Sequence, residues 1–218
     1  SGSQDPFALR RQAQGVVQIL GDWKIDLSID KLLSKVVELQ LEAGLYEADK
    51  EQVKAQLVEF FTLRLKYRLQ EQQVRYDVID AVLTTTLTVD RLDARAHAIQ
   101  QFVSTDAKSL IEQLSRVVNI SKKGEPGDVD PSLFENDQEV ALHEAIEQTA
   151  PEVMTAVQTG DYNKALQLLQ TLESPIMMYF EHTMVMSDNE AVRQNRLHEM
   201  NRLATTIKSV ADFNALVL

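Results

Sequence analysis

The chain has no cysteine in its 218 residues. That removes disulfides, thiolate zinc sites and thiol nucleophiles together. Glycine and proline are scarce, at 7 and 5, so few breakers interrupt regular structure and long helices are favoured. No apolar run approaches the roughly 20 residues that a membrane-crossing helix needs. The N-terminus lacks the basic-then-apolar order of a secretory signal. Positive charge is the scarcer sign: 22 Lys and Arg stand against 33 Asp and Glu, a net charge of −11. This balance counts against broad, sequence-blind nucleic-acid binding, which needs a large basic surface. A local basic patch remains possible, because exposed charges are screened beyond about 10 Å at 0.1 M salt.

What is present is a normal globular content of hydrophobic residues, 44%, in helical rather than alternating patterns. Asp5-Pro6 predicts a helix start that runs to Gly21, and the absence of an initial Met suggests a piece of a longer protein. A second helix is predicted from Asp26 to Glu42, with Ile29, Leu32, Leu33, Val36, Val37 and Leu39 inward and Gly44 as its stop. Asp49 and Gln52 form a capping-box pattern for a third helix, to about Gln72. Asp77 is expected to cap a short fourth helix that frays at Thr84-Thr85-Thr86, and Asp90 and Ser104-Thr105-Asp106 are expected to start two more.

The segment from Lys122 to Asp128 has no periodicity and reads as a mobile loop. Structure restarts at Asp130-Pro131, and Pro151 is expected to break or restart the following helix. Gly160-Asp161 is a stop and a cap, Ser174-Pro175 starts another helix, and Ser187 with Glu190 launches the last. The expected class is therefore all-α, a bundle of nine or ten helices joined by short loops, with an apolar tail that docks.

Little in the sequence points to catalysis. His97, His143, His182 and His198 are far apart and lack metal-binding spacing. There is no glycine-rich phosphate loop, and the carboxylates fall on solvated faces. Met177, Met178, Met184 and Met186 cluster, which fits flexible core filling or, alternatively, a peptide groove.

The basic residues are more informative. Arg64, Arg68 and Arg75 fall on one helical line opposite Leu57, Phe61, Leu65 and Leu69. Arg116, Lys122 and Lys123 gather beside Asn119, and Arg193 and Arg196 flank Asn195. Arg and Asn can read base edges through paired hydrogen bonds, and Tyr67 and Tyr76 could stack on unpaired bases. The same spacing also fits ordinary solvated faces, or arginines that tie helices together.

The residues also carry a resemblance. Phe61-Thr62-Leu63-Arg64-Leu65-Lys66-Tyr67-Arg68-Leu69 and Arg75-Tyr76-Asp77-Val78-Ile79-Asp80-Ala81-Val82-Leu83 resemble the beta subunit of bacterial two-subunit glycyl-tRNA synthetases. So do Gly2-Ser3-Gln4-Asp5-Pro6-Phe7-Ala8-Leu9-Arg10-Arg11, Arg116-Val117-Val118-Asn119-Ile120 and Met184-Val185-Met186. Arg193-Gln194-Asn195-Arg196-Leu197 and Val210-Ala211-Asp212-Phe213 complete a match that keeps its order along nearly the whole chain. Two residues depart from the pattern: Gln73 stands where a glycine is expected after a helix, and Gln4 replaces a lysine.

The resemblance implies the C-terminal part of that subunit. Residues 1–58 would be the end of an upstream HD-like region and a helical connector. Residues 59–218 would be a DALR-type anticodon-binding bundle, like that of arginyl-tRNA synthetases. The implied role is binding of the tRNA(Gly) anticodon stem-loop in support of glycine–tRNA ligation, in a cytoplasmic alpha2beta2 assembly. The chemistry, with its ATP and Mg, would belong to the alpha subunit, so this piece would be non-catalytic and hold no cofactor. The candidate RNA-binding residues are Arg64, Tyr67, Arg68, Arg116, Asn119, Lys122, Lys123, Arg193 and Arg196. The alternative is a non-catalytic helical scaffold for subunit assembly.

Overall fold

The computed structural model of the chain describes residues 7–44 and 49–218. Among them are ten α-helices, two short 3-10 turns and no strand, with one isolated bridge between Ser28 and Thr88. The fold is all-α, as the periodicity predicts. The expected helix start at Asp5-Pro6 lies outside the described residues. Two compact units divide the chain, Ser1–His97 and Ala98–Leu218, whereas the boundary expected at 58/59 falls within a continuous helix.

The first unit holds α1 (Leu9–Asp22), α2 (Ile29–Glu42), α3 (Lys50–Glu71), α4 (Tyr76–Leu83) and the start of α5 (Val89–Val103). Helices α1, α2 and α4 all pack on α3. The buried line of α2 is Ile29, Leu33 and Val37, one residue per turn. Val36 and Leu39, expected inside, lie off that line and are exposed. Helix α3 begins where the Asp49 carboxylate accepts the N–H groups of Glu51 and Gln52, at 2.9 and 3.1 Å. It ends at Glu71, so Arg75 is not on its arginine line.

Arg75 instead precedes α4, and Asp77 is the second residue of that helix rather than its cap. The Asp77 carboxylate is buried and grips the Arg75 guanidinium, Nε to Oδ1 at 3.0 Å and Nη2 to Oδ2 at 2.6 Å. Thr84 and Thr85 do not fray: their hydroxyls donate to the carbonyls of Ala81 and Val82 and close the helix.

The second unit holds the end of α5, then α6 (Lys108–Ser121), α7 (Asp137–Thr159), α8 (Tyr162–Thr171), α9 (Glu173–His182) and α10 (Glu190–Val210). Helix α10 is its centre, packed against α6, α7 and α8. Its buried residues include Val192, Leu197, Met200, Leu203, Ile207 and Val210, and also Asn195, Arg196, Glu199 and Thr206. A helix buried on most of its circumference must satisfy such polar groups internally. After α10 a 3-10 turn, Phe213–Ala215, packs on α6 with Phe213 and Leu216 buried.

Several expected helix ends move. Pro151 lies inside α7, not at a break. Its missing N–H forfeits one backbone bond, but Thr149, Val153 and Ala156 are buried on both sides of it, and packing carries the helix through. The cap of α10 is Asn189, which accepts from Ala191 and Val192, while Ser187 accepts from Asn189 itself. Helix α6 is preceded by Ala107 without a side-chain cap, and α9 stops at His182.

The segment 122–128 is seated on α10 rather than loose. Asn201 Nδ2 donates to the carbonyls of Ser121 and Gly124, at 3.1 and 3.2 Å, and His198 Nδ1 bonds the Asp128 carbonyl at 2.9 Å. Asn195 closes the far end, donating to the Asp130 carbonyl and accepting its N–H at 2.9 and 2.7 Å. Met177, Met178, Met184 and Met186 are not core filling: all four are exposed, Met184 by 73%. No described helix is long and apolar enough to cross a membrane.

Candidate nucleic-acid interface

The residues Arg116, Asn119, Lys122 and Lys123 form one group, as their spacing predicts. Arg116 and Asn119 lie on the exposed side of α6, whose other side buries Leu110, Leu114, Val117 and Val118. Lys122 and Lys123 follow directly and are exposed. The Arg116 guanidinium carbon sits 4.0 Å from the centre of the Phe180 ring, a cation–π contact that fixes the group over the ring without using its N–H donors. Asn119 Nδ2 donates to Asn214 Oδ1 at 3.1 Å, and its own oxygen accepts from Lys122 Nζ at 3.2 Å.

Arg116, Asn119 and Lys123 share the wall of an open cavity of about 580 Å³ with Ser115, Ile120, Phe213, Asn214 and Leu216. On the other side of Arg116 lies a second cavity of about 490 Å³, lined by Ile120, Phe180, Met184 and Met186 among others. One acid borders each, Glu112 and Glu181 respectively. A flat guanidinium thus stands between an amide-lined cavity and a thioether-lined one. Such a surface can bond an anion or a base edge and cover a planar ring.

The third sequence group is structural. Arg196 is 6% exposed and bonds both oxygens of Glu139, an oxygen of Glu135 and the Met184 carbonyl. Its hydrogen bonds to the Glu139 carboxylate raise its pKa further. The expectation that Arg196 meets RNA gives way to a packing role. Arg193 Nη1 donates to the Ser187 carbonyl at 2.8 Å and holds the turn before α10.

Beneath them, His143 Nδ1 lies 3.2 Å from both oxygens of Glu199. Burial pushes the Glu199 carboxyl above its ordinary range, with His143 and Arg202 pulling the other way and Glu147 adding to the rise. Arg202 in turn pairs with Glu147, whose pKa is lowered mainly by that bond.

In the first unit, Arg68 is occupied by acids. Its Nε meets Asp93 Oδ2 at 3.0 Å and its Nη2 meets Asp22 Oδ1 at 3.1 Å. Burial opposes its charge, but Asp93 and Asp22 outweigh burial and raise its pKa. Arg64 and Tyr67 remain at the surface. Arg64 Nη1 donates to the Phe60 carbonyl at 3.1 Å, and its guanidinium lies 4.1 Å over the Phe60 ring. The sequence did not point to Phe180, Met184 and Asn214 as partners of the α6 group. They are remote along the chain, and no periodicity links them to Arg116. Among the described residues, no cluster of His, Cys, Asp and Glu could hold a metal ion.

The glycyl-tRNA synthetase beta subunit family model matches residues 1–84, and the DALR anticodon binding domain model matches residues 110–213. The glycine–tRNA ligase beta subunit of Halalkalibacterium halodurans is 44% identical over 220 residues, covering 100% of this chain and 32% of that protein. The Bacillus subtilis beta subunit is 42% identical over 221 residues, with 100% and 30% covered. That of Streptococcus pneumoniae is 36% identical over 219 residues, with 99% and 30% covered. The chain belongs to the glycyl-tRNA synthetase beta subunit family. It spans about a third of the length of the curated relatives it matches. The anticodon-binding match begins inside α6, not at residue 59. It contains Arg116, Asn119, Lys122 and Lys123, while Arg64, Tyr67 and Arg68 lie in the stretch matched by the beta subunit model.

Proposed function

We infer that the second unit binds the anticodon arm of glycine tRNA through Arg116, Asn119, Lys122 and Lys123, with Phe180 and Met184 offering surfaces to unpaired bases. The observation that carries this reading is the placement of Arg116, Asn119 and Lys123 on one open cavity inside the residues matched by the anticodon binding domain. The chain serves glycine–tRNA ligation without performing it. The alpha subunit of a cytoplasmic alpha2beta2 assembly supplies the catalytic site with its ATP and Mg, and this piece, a C-terminal part of the beta subunit, holds no cofactor of its own.

Fluorescence anisotropy with a labelled glycine anticodon stem-loop tests the reading. Arg116→Gln is expected to weaken binding by about 1–3 kcal/mol if it holds a base through two bonds, and exchanging the middle and third anticodon bases should weaken it comparably. Unchanged affinity after the base exchange would remove base reading from this unit. The four exposed methionines favour a second reading, a scaffold surface for subunit assembly. Co-elution with the alpha subunit, without tRNA affinity, would select it.

A further inference from the structure

A second basic surface lies in the first unit, on residues that the anticodon-binding match does not reach. A groove of about 450 Å³ runs between α1 and α3, lined by Arg10, Arg11, Gln14, Leu63, Arg64 and Tyr67. Among the described residues that line it, Arg10, Arg11 and Arg64 are arginines and none is acidic, in a chain whose net charge is −11.

Two further features favour an anion there. Arg10 and Arg11 stand in the first turn of α1, and that turn holds no acid. The N-terminal end of a helix also carries partial positive charge from its unpaired N–H groups, which favours an anion nearby. Arg64 makes no ion pair among the described residues. Its guanidinium is held in place by the Phe60 carbonyl and stacked on the Phe60 ring.

The remaining lining residues identify the kind of anion. Tyr67 is 52% exposed, with its phenol bonded to the Glu71 carboxylate one turn on, and Leu63 is 56% exposed. A groove that combines guanidinium groups with an aromatic ring and an apolar side chain suits a chain that carries both phosphates and flat bases. We propose that the α1–α3 groove is a separate RNA-backbone site, one that holds phosphodiester groups through Arg10, Arg11 and Arg64 with a nucleoside against Tyr67, without reading base identity. It rests on the inference that the chain binds RNA but not on anticodon reading by the second unit.

The test uses the whole 218-residue chain, a glycine tRNA transcript and an oligouridine that has no anticodon. Arg10→Gln with Arg11→Gln is expected to weaken both probes several-fold and to lower the salt dependence of log K by about one for each phosphate contact removed. The loss should be the same for transcripts with exchanged anticodon bases. Tyr67→Ala should weaken oligouridine binding, whereas Tyr67→Phe, which keeps the ring, should not. Unchanged affinity and salt slope in the double arginine variant overturns the proposal, as does failure of the chain to bind either probe. Displacement by polyglutamate as effective as by oligouridine also overturns it, in favour of an acidic protein partner. If base exchange has no effect while the arginine variant still loses affinity, the anticodon reading falls and this site stands. Circular dichroism and thermal melting check that the exposed substitutions leave the fold intact.

Discussion

Arg196 and Glu139 meet through two parallel hydrogen bonds inside the second unit, Nε to Oε2 at 3.1 Å and Nη2 to Oε1 at 2.7 Å, with both side chains buried. Removing one partner of such a pair strands the other charge in a poorly solvated place. Arg196→Met is therefore expected to cost about 3–5 kcal/mol of folding stability. Glu139→Gln added to Arg196→Met should recover much of that loss, because the glutamine keeps an acceptor for the Glu135 N–H and carries no charge. Denaturant unfolding of the two single variants and the double gives the coupling. Simple additivity would mean that the pair is not what holds α7 to α10.

The loop after α6 carries Lys122 and Lys123, and its path depends on two glycines that differ in what they face. A Cβ on Gly124 would lie 2.7 Å from Leu197 Cβ. That atom is fixed to the α10 backbone, so no side-chain rotation relieves the clash. A Cβ on Gly127 would meet the His198 imidazole at 2.5 Å, and a ring can swing aside at the loss of its bond to the Asp128 carbonyl. Gly124→Ala should cost about 1–3 kcal/mol and Gly127→Ala about 1 kcal/mol. Thermal melting gives the ranking. Amide exchange across 122–128 should quicken more in Gly124→Ala, and that variant should also lose RNA affinity through displaced lysines. Equal effects of the two substitutions would contradict the geometry.

Much of this fold is written locally. Asp49, Asp130 and Asp161 accept the N–H groups that helix starts leave open; Asp49 and Asp161 are readable as caps from their neighbours alone, and Asp130-Pro131 as a restart of structure. Gly44 and Gly160 end helices in the left-handed region for the same local reason. What was not legible depends on partners far along the chain. Arg196 looks like a surface arginine until Glu139 and Glu135, 57 and 61 residues away, are placed beside it. Asn195 looks like part of a base-reading group until Asp130 is placed beside it, and nothing local marks His198 and Asn201 as the residues that hold the 122–128 segment. Pro151 reads as a break because the burial that carries α7 through it comes from tertiary packing. In the α6 group, Arg116, Asn119, Lys122 and Lys123 are neighbours in sequence, and there spacing sufficed.

Glu199 gives the stability a definite pH dependence. Its folded-state pKa is raised above the unfolded value of about 4.3, so the native state binds the proton more tightly. Its contribution is intact below the unfolded pKa and is lost as pH rises through the folded one. The titratable and charged groups that face it are His143 and Glu147 from α7 and Arg202 from its own helix. Glu199→Gln keeps a polar partner for His143 Nδ1 and cannot ionise. Its stability relative to the parent chain should therefore improve as pH rises from the ordinary carboxylate range, with the rise complete once the parent's Glu199 is ionised. Urea unfolding of both chains across a pH series measures the difference, and a flat difference curve would mean that Glu199 does not titrate in that window.

Gln73 sits where helix α3 closes, with φ 61. The Gln73 N–H bonds the Gln70 carbonyl at 2.9 Å and the Val74 N–H bonds the Leu69 carbonyl at 3.0 Å, with Leu69 and Val74 both buried. This paired closure needs a left-handed residue at position 73, and glycine is its usual occupant. Gly160 fills the same place after α7 with φ 78, and the bonds around it follow the same pattern: Gly160 N–H to Val157 and Asp161 N–H to Ala156. A side chain in that region costs roughly 1–2 kcal/mol, while glycine's greater freedom when unfolded returns about 0.4–1 kcal/mol of the advantage. Gln73→Gly is thus expected to stabilise the chain by about 0.5–1 kcal/mol, a rise in melting temperature of about 1–4 °C for a protein of this size. The glycine that the beta subunit pattern leads one to expect at this position has the same physical cause. If Gln73→Gly lowers the melting temperature instead, the glutamine side chain contributes more to the turn than its backbone strain takes away, and the cause assigned to the expected glycine is wrong.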